Sequence, residues 1–433
     1  MTALHTDFAR APVPETARRG SLWVAVTSAA WIIAVTTLFT GGSLGVSLGL
    51  TQALIAIVIG LSLIAIIGGL LGQLGAKHGV STAMLAHYTF GKYGASLLGV
   101  VIALTLGVGW FAWQVSFFAV TLREAFPDEV WSEPRWSMIW SGTLMTATAF
   151  GGFKWLSRLS MVAVPLVLAL SAYGMFIALE QAPIQSETMP DGSMNLFGGI
   201  TAVVGSVIFG AIVLPDISRY ARSRLGGIAV SSGYVGAGLI VMVAGAVMAT
   251  AVAVPAIGQT ANIPAVMGAL GMGFAAFFVL LFAQWTTNDS NLYSGALGLS
   301  AATRVPKGIL VIAMGIAGVT IASLGIQDQF VPFLNVLGTF MPPVAGVMIA
   351  DYYVTSRSRS EAFDASSPVP TLNYLAIFSA IAGGLIASVL ANLGGVFAAA
   401  AIIGFLSAMI LHILLTKIAQ TMRFATAAGT SLL

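Results

Sequence analysis

Apolar stretches of bilayer length, separated by short polar or glycine- and proline-containing breaks, follow one another along almost the whole chain. A transmembrane α-helix needs about 20 consecutive, mainly apolar residues. The pattern predicts twelve such segments, near 22–47, 50–75, 94–122, 136–152, 156–179, 196–218, 226–255, 264–300, 308–325, 329–352, 372–391 and 395–417. Only short glycine-rich turns divide segments 1 and 2, and segments 11 and 12.

The composition agrees with a chain that lies in a lipid bilayer. Hydrophobic residues occupy 58% of the 433 positions and charged residues only 8%, whereas a soluble protein carries about 25% charged residues. We therefore predict an all-α polytopic membrane protein. The isoelectric point near 9.2 does not indicate a nucleic-acid partner, because basic residues in a membrane chain mainly set its orientation. The sequence has no cysteine, which excludes disulfides and thiolate metal sites.

The distribution of basic residues predicts that both termini are cytoplasmic. Cytoplasmic loops of membrane proteins carry an excess of Lys and Arg. With twelve segments and the N-terminus inside, sixteen of the 18 basic residues fall inside and two, Arg123 and Arg135, fall outside. An incorrect number of segments would scramble this sorting, so the distribution favours an even number.

Segments 1 and 6 both contain glycines that weaken a helix. The interrupting residues are Gly41, Gly42, Gly45 and Gly49 in segment 1, and Gly205, Ser206 and Gly210 in segment 6. Each glycine weakens a helix by about 1 kcal/mol relative to alanine, but small residues also allow membrane helices to pack closely. Broken helices at matching positions of two antiparallel halves are typical of transporters built from inverted repeats. Both interpretations of segment 1 stay open.

Segment 3 carries an amide and two indoles inside the predicted membrane. Trp110 and Gln114 are four residues apart and share one helix face, and Trp113 lies about 100° from Gln114. Such a pair could stack on a planar, amide-like ring and bond to it. The alternative is a lipid-facing tryptophan, which is common. We favour the substrate site because an intramembrane glutamine needs partners.

Polar residues fill positions 284–291 of segment 8, which read QWTTNDSN. Thr286, Thr287, Ser290 and Asn291 lie on one side of a helix. Hydroxyl and carbonyl oxygens are the ligands that a hard cation such as Na⁺ prefers. The alternative is that the threonines bond back to their own helix, and we favour the cation for both. Gln284 is predicted to supply a polar contact to the substrate.

Asp289 is the charge placed most deeply in a predicted span. Intramembrane acids usually face protein or water and are functional candidates. Asp289 either titrates and takes part in coupling, or pairs with an arginine near the cytoplasmic face as part of the scaffold.

Seven motifs are spread over nearly the whole chain. They are PVPETARRG before segment 1, FTGGSLG at 39–45, GAKHGVST at 75–82, HYTFGKYG at 87–94, GVGWF at 107–111, WTTND at 285–289 and PPVAGVMIADYY at 342–353. With these motifs the chain resembles the nucleobase:cation symporter family, and within it the bacterial cytosine permeases.

The resemblance implies a twelve-helix transporter whose first ten helices form two inverted five-helix repeats, as in sodium symporters, with broken helices 1 and 6 and two additional C-terminal helices. The corresponding regions are a cytoplasmic tail at 1–20, repeats at 21–180 and 195–352, two further helices at 370–418, and a cytoplasmic tail at 419–433.

The resemblance also implies roles for individual residues. Sodium would be held by the hydroxyls of Thr286 and Thr287 and by main-chain carbonyls, for which Ala283, Ala30 and Ile33 are expected. The substrate would stack on Trp110 between segments 1, 3, 6 and 8. Segment 6 would complete its site with Gly205, Ser206, Val207 and Phe209.

Three departures from the cytosine-permease pattern involve four residues. Ala283 replaces an asparagine, Gly107 replaces a glutamine, and Val207 and Phe209 stand where an aromatic and then a polar residue are expected. Gln114 instead resembles the amide of the hydantoin and allantoin branch. A site built to bond one ring rejects analogues that leave its polar groups unpaired, so the departures argue against cytosine itself.

The predicted function is Na⁺-coupled uptake of a nucleobase or related planar nitrogen heterocycle by alternating access. The alternative is a proton-coupled symporter of hydantoin, allantoin or a thiamine-precursor pyrimidine. An intramembrane enzyme is a distant third, because the chain has only four histidines, no cysteine and no HExxH motif. We expect no cofactor other than the co-transported Na⁺ or H⁺, a bacterial cytoplasmic membrane location, and a functional monomer.

Overall fold

The computed structural model describes residues 12–151, 153–181, 192–223, 225–252, 254–257, 259–303, 305–355 and 371–430. Within these ranges the chain is almost entirely helical and forms no β-strand, only two isolated β-bridges, Arg19 with Ala221 and Ile257 with Thr260. The predicted tails at 1–20 and 419–433 lie partly outside the described residues.

The α-helices of the described residues are α1 (Ser21–Ile32), α2 (Val35–His78), α3 (Thr82–Leu104), α4 (Phe111–Ala125), α5 (Pro134–Gly151), α6 (Phe153–Gln181), α7 (Leu196–Val213), α8 (Pro215–Ser218), α9 (Gly226–Ala251), α10 (Ile263–Ala269), α11 (Gly273–Thr303), α12 (Lys307–Ser323), α13 (Phe330–Ala350), α14 (Tyr374–Ala391) and α15 (Ala400–Thr430). Two π-helical turns, Thr105–Trp110 and Asp351–Thr355, extend α3 and α13.

Eight stretches of the described chain are long and apolar enough to cross a membrane. They are Val35–His78, Thr82–Ala125, Val162–Gln181, Leu196–Ser218, Gly226–Ala251, Phe330–Thr355, Tyr374–Ala391 and Ala400–Met422. The predicted all-α, multi-pass architecture is confirmed. The number of twelve spans and the inverted repeat stay predictions.

Helix α2 combines predicted segments 1 and 2. Its 44 residues would extend about 66 Å if straight, far more than a hydrocarbon core of about 30 Å. Gly49, with φ 74° and ψ 164°, turns the chain inside it. Glycine adopts this backbone conformation without a steric penalty, so the chain can end one span at Gly49 and begin the next.

Apart from the turn at Gly49, segment 1 is interrupted at Ile33 and Ala34 and not at Gly41, Gly42 or Gly45, on which the prediction also rested. Helix α1 ends at Ile32, and Ala34 has an extended backbone with φ −134° and ψ 155° before α2 begins. No glycine lies at this break, so it escaped the sequence pattern.

The segment 1 glycines instead bring α2 close to α9. A methyl group at Gly41 would overlap the backbone carbonyl of Met242, and one at Gly45 would crowd that of Ala246. Gly245 of α9 lies equally close to the Leu38 carbonyl. Close packing, one of the two interpretations left open for segment 1, therefore describes these positions.

Helix α7 runs without interruption, so the predicted break at Gly205, Ser206 and Gly210 is not found. A methyl group at Gly205 would overlap the Leu334 carbonyl of α13, and one at Gly210 would overlap the Tyr234 hydroxyl of α9. Both glycines therefore allow a neighbouring helix to pack closely, while α7 itself stays helical at these positions. Segment 6 is interrupted later, where α7 gives way to α8.

Two other predicted boundaries also change. Predicted segment 264–300 is divided into α10 and α11, because Gly271 and Gly273 have φ of 70° and 73°. Predicted segment 94–122 begins earlier, at Thr82, and is kinked at Gly91. It then passes through the π-helical turn at Thr105–Trp110, a feature frequently found at functional sites.

The helices pack in groups that set the position of the site. Helix α2 lies along α9 and α7, while α11 packs against α4, α6, α3 and α5. The C-terminal helices α14 and α15 pack on each other and on α13. The segment 3 and segment 8 positions of interest thus lie on neighbouring helices, α4 and α11.

The described end of the N-terminal region packs on this helical body. The Val13 N–H donates to the Gly79 carbonyl at 2.9 Å, and the Arg19 N–H donates to the Tyr220 carbonyl at 2.5 Å. The Arg222 N–H donates back to the Arg19 carbonyl at 2.8 Å. Residues 13–19 therefore join the end of α2 to the turn after α8.

Candidate functional site

Trp110, Trp113 and Gln114 form one face at the junction of the π-helical turn and α4. Trp110 is the last residue of the turn, and the other two follow at three and four residues, the spacing of neighbours on a helix surface. All three side chains are buried, Trp113 and Gln114 completely. The structure thus places the predicted pair, Trp110 and Gln114, together with a second indole.

The Gln114 amide is buried without a hydrogen-bond partner in the described structure. Neither its Nε2 nor its Oε1 has one, and the same is true of the Trp113 Nε1. A buried polar group left unpaired costs about 1–3 kcal/mol. Native proteins rarely tolerate this except where something else supplies the bond, such as a ligand or an ordered water. The α4 face therefore has the character of a binding site.

Aromatic residues of α13 enclose this face. Phe333 lies edge-on to Trp110, with ring centroids 5.5 Å apart, and Phe330 lies edge-on to Trp113 at 5.1 Å. Phe330 also meets Phe117, which stacks on Phe39 of α2 at 4.1 Å. Sequence reasoning missed these residues, since aromatic side chains in apolar spans carry no pattern that separates a site wall from lipid-facing positions.

The predicted segment 6 residues lie on α7 in different surroundings. Val207 and Phe209 are buried, with 5% of each side chain exposed, and the Val207 carbonyl accepts a bond from the Tyr234 hydroxyl at 2.8 Å. The Ser206 hydroxyl donates to Val203 within its own helix at 2.8 Å. Gly205 packs against α13. Their role in substrate binding stays a prediction.

The predicted cation ligands of segment 8 share one turn of α11. The Thr286 hydroxyl donates to the Ala283 carbonyl, so these two expected oxygen ligands lie 3.1 Å apart. Thr286 and Ala283 are buried and Thr287 is partly exposed. The Thr286 hydroxyl thus bonds within its own helix, and cation binding by Thr286 and Thr287 stays a prediction.

The break in segment 1 frees the carbonyls predicted as the other cation ligands. The Ala34 N–H donates to Ile32 at 2.8 Å rather than to Ala30, and the Thr37 N–H donates to Ala34 at 3.1 Å rather than to Ile33. The carbonyls of Ala30 and Ile33 are thereby released from the helical ladder. Unwound carbonyls of this kind coordinate ions in other transporters.

Helices α4 and α11 run antiparallel, so contacts between them show which residues of one helix lie opposite which residues of the other. A methyl group at Gly295 would meet the Gly107 backbone, whereas the Trp285 ring lies 6.0 Å from that of Phe118. Gln114 is therefore level with residues 288–289 rather than with Gln284. The Gln284 Nε2 donates to Thr121 at 3.0 Å, two turns beyond Gln114, and its Oε1 has no partner in the described structure.

Asn288 is a buried amide that sequence reasoning did not select. Its side chain is fully buried, its Nδ2 meets the Met145 sulfur at 3.1 Å, and its Oδ1 has no partner among the described residues. An asparagine inside an apolar span was a sequence signal for this residue. It was overlooked because the adjacent threonines and the aspartate offered more obvious candidates.

Asp289 points to α5 and accepts a hydrogen bond there. The Thr148 hydroxyl donates to its Oδ1 at 2.9 Å, and the Trp285 indole donates to the Thr148 hydroxyl at 3.2 Å. Asp289 itself is 1% exposed. The arginine partner considered for it is not found in the described chain, where a hydroxyl takes that place.

A buried amide without a partner in the described structure lies beside two buried indoles in a bundle of membrane helices, next to a segment whose backbone is interrupted. This arrangement is typical of a membrane transporter. The chain matches, over residues 12–411, the model of the family described as permeases for cytosine/purines, uracil, thiamine and allantoin. The protein belongs to this permease family, and the predicted nucleobase:cation symporter membership is confirmed.

Curated relatives agree with this assignment. The cytosine permease of Escherichia coli (strain K12) is 32% identical over 381 residues, which cover 87% of this chain and 88% of that protein. The hydantoin permease of Microbacterium maritypicum is 26% identical over 371 residues, covering 79% and 74% of the two chains.

Solved structures show the fold. An inward-facing conformation of Mhp1 superimposes with a TM-score of 0.74 at 24% identity, covering 97% of this chain and 95% of that one. Mhp1 in a closed conformation with bromovinylhydantoin bound gives a TM-score of 0.71 at 20% identity. These relatives are transporters, which places this chain in that class rather than among intramembrane enzymes.

Proposed function

We propose that this transporter takes up a nucleobase or a related planar, uncharged nitrogen heterocycle together with Na⁺. The observation that carries the proposal is the Gln114 amide, fully buried and unpaired in the described structure, one turn from Trp110. A carboxamide pairs with the N–H and carbonyl groups of such rings, and an indole stacks on their faces. The neutral amide gives no advantage to a charged ligand.

The cation proposal rests on oxygen atoms from two helices. The carbonyls of Ala30 and Ile33 leave the helical ladder at the break in segment 1, and Thr286 and Thr287 present hydroxyls on α11 beside the Ala283 carbonyl. Such a set offers only hard oxygen ligands, which suits Na⁺ and disfavours soft metals.

Transport would proceed by alternating access. The group that contains α1, α2, α7 and α9 would rock against the group that contains α4, α5 and α11, with substrate and ion bound near the midplane between them. Coupling requires that Na⁺ favour the state whose substrate site is formed. By linkage, each ligand then raises the affinity of the other by the same factor.

A proton-coupled mechanism is the second candidate, and Asp289 is the residue that favours it. Its carboxylate is buried and bonded to the Thr148 hydroxyl rather than to a basic side chain. A buried acid without a counter-ion can exist as the neutral acid, which is what a proton carrier needs. Hydantoin, allantoin or a thiamine-precursor pyrimidine would be its cargo in this version.

Uptake assays separate the two cations. Cells that express the protein are given radiolabelled uracil, hydantoin, cytosine or adenine at fixed pH, with Na⁺ present or replaced by choline. The sodium proposal expects uptake of at least one ring to fall at least tenfold in choline. Uptake that is undiminished in choline but abolished by a protonophore would instead support proton coupling through Asp289.

The same assay tests the stacking residue. Trp110→Ala should abolish uptake of every ring, because it removes the stacking surface, whereas Trp110→Phe should retain part of it. Normal uptake by Trp110→Ala would remove Trp110 from the site. Amounts of each variant in the membrane are compared on immunoblots.

We also propose a bacterial cytoplasmic membrane location with both termini in the cytoplasm, and function as a monomer. The support is the bias of basic residues toward one side of the predicted segments. Cysteines introduced near each terminus should react with membrane-permeant thiol reagents only.

A further inference from the structure

Trp113 is a tryptophan whose indole N–H is buried and lacks a partner in the described structure. Its side chain is 0% exposed, and the Nε1 has no hydrogen bond. Two other indoles of the described residues have partners within the protein: the Trp140 Nε1 donates to the Trp131 carbonyl at 3.0 Å, and the Trp285 Nε1 donates to Thr148 at 3.2 Å. The Trp113 N–H therefore has no hydrogen-bond acceptor among the described residues, and a bound ligand is a candidate to supply one.

The Trp113 ring is fixed by its neighbours, so its N–H cannot turn to reach another group. Ring centroids of Phe330, Phe333 and Phe117 lie 5.1, 5.7 and 5.9 Å from it, on two different helices. Trp113 follows Trp110 by three residues and Gln114 follows it by four, so the indole of Trp113 and the unpaired amide both neighbour Trp110 on the helix surface.

The unpaired atoms on this face comprise two donors and one acceptor. Gln114 offers one N–H donor group and one carbonyl acceptor, and Trp113 adds a second donor. This count does not depend on which way the amide is turned. A ligand that pairs with each of these three atoms presents at least one donor and two acceptors.

We infer that Trp113 is a specificity-determining residue that donates a hydrogen bond to the substrate, in addition to the stacking role proposed for Trp110. The substrate class is a small ring with one donor and two acceptors along one edge. Uracil and hydantoin have such an edge in their carbonyl, N–H, carbonyl sequence. Cytosine has one in its amino, ring nitrogen, carbonyl sequence. The inference rests on the proposed function, because it concerns the same site.

A ring with one acceptor fewer provides the matched comparison. The ring 2-pyridone has the size and shape of a pyrimidine base but carries a single N–H and a single carbonyl. It can pair with Gln114 and stack on Trp110, but it leaves the Trp113 N–H unpaired. Sites built to bond a substrate group discriminate against analogues that lack it.

The test measures binding of uracil, hydantoin, cytosine and 2-pyridone to the purified full chain in Na⁺ by calorimetry. In the wild type, the tightest of the three two-acceptor rings should bind at least tenfold more tightly than 2-pyridone. Trp113→Phe keeps a buried ring and removes the N–H. The substitution should lower the binding affinity for that ring about tenfold, which corresponds to the loss of one hydrogen bond, and leave the affinity for 2-pyridone unchanged.

Two further variants make the pattern specific. Gln114→Met should weaken all four rings, 2-pyridone included, because the amide pairs with groups that all of them share. Trp140→Phe loses an indole N–H that is bonded elsewhere and should change no affinity. Thermal unfolding is recorded for each variant, and Trp113→Met replaces Trp113→Phe if the latter does not fold.

The outcomes separate this inference from the function on which it rests. If the rings bind the wild type no more tightly than 2-pyridone does, Trp113 donates no hydrogen bond to the substrate. The same holds if the tighter binding persists in Trp113→Phe. Either result overturns only this inference. If no ring binds the wild type, and adenine does not either, the proposed function itself fails. Collapse of the advantage in the Trp113 variant alone supports the inference.

Discussion

The buried amide of Gln114 should destabilise the protein when no ligand is bound, and this can be measured. We predict that Gln114→Met raises the free energy of unfolding of the ligand-free protein. Methionine is close to glutamine in length and fills irregular gaps, so the change removes two unpaired polar atoms while keeping most of the packing.

The magnitude follows from the cost of unpaired groups. Each buried polar atom without a partner costs about 1–3 kcal/mol, and some of that gain is lost because methionine does not fit the cavity perfectly. We expect a net gain of about 2 kcal/mol. At about 2.1 cal/mol/K per residue, the 433-residue chain has an unfolding entropy of about 0.9 kcal/mol/K, so its Tm should rise by about 2 °C.

Ligand should reverse the order of stability. A heterocycle at about 1,000 times its Kd stabilises the wild type by about 4.1 kcal/mol, which exceeds the gain from the substitution. The variant should gain much less, because it has lost the bonding amide. Differential scanning fluorimetry in detergent, with and without the tightest ring of the panel, measures both effects.

Gln284→Met is the matched control. Its amide is also buried, but its Nε2 is bonded to Thr121 at 3.0 Å, so the substitution loses a hydrogen bond as well as one unpaired atom. We expect its ligand-free Tm to stay level or fall. A clear fall in the ligand-free Tm of Gln114→Met would refute the reasoning, since it would mean that the amide is satisfied within the protein.

Three more predictions concern other parts of the structure. Thr287→Ala should raise the Na⁺ concentration needed for half-maximal uptake about tenfold without lowering expression, because it removes one predicted oxygen ligand; an unchanged sodium dependence would exclude the hydroxyl. Gly41→Ala should lower the Tm by several degrees, since its methyl would overlap the Met242 carbonyl, whereas Gly236→Ala, which has open space around it, should be neutral or stabilising. Asp289→Asn keeps an acceptor for Thr148 but cannot titrate, so it should retain Na⁺-driven uptake; loss of uptake with normal folding would favour the proton mechanism.

The existence of the membrane spans could be predicted because the bilayer leaves little choice. A chain in hydrocarbon must satisfy its backbone internally, so apolar length alone indicates a helix. The hydroxyls of Thr286 and Thr287 and the amide of Gln114 could be selected as site candidates for the same reason, since polar side chains stand out against that background.

The break at Ile33 and Ala34 and the continuity of α7 could not be predicted from glycine, because in a membrane glycine has two opposite uses. Gly41 and Gly205 serve close helix contacts, whereas the break in segment 1 falls at Ile33 and Ala34, which have no distinctive composition. The partners of buried groups, such as Thr148 for Asp289 and the α13 aromatics around Trp113, depend on packing between distant segments. No spacing along the chain encodes them.

The glycine contact between α2 and α9 couples the movements of these two helices. Backbones that touch at Gly41 and Gly245 cannot slide past each other, so a tilt of one helix is passed to the other. Helix α9 has 26 residues and is about 39 Å long. The contact at Gly245 lies near one end of α9, so a tilt of about 10° about it would move Gly226, about 28 Å away, by about 5 Å. In the proposed transport cycle, a small rotation at this contact would therefore become a larger displacement at the other end of α9.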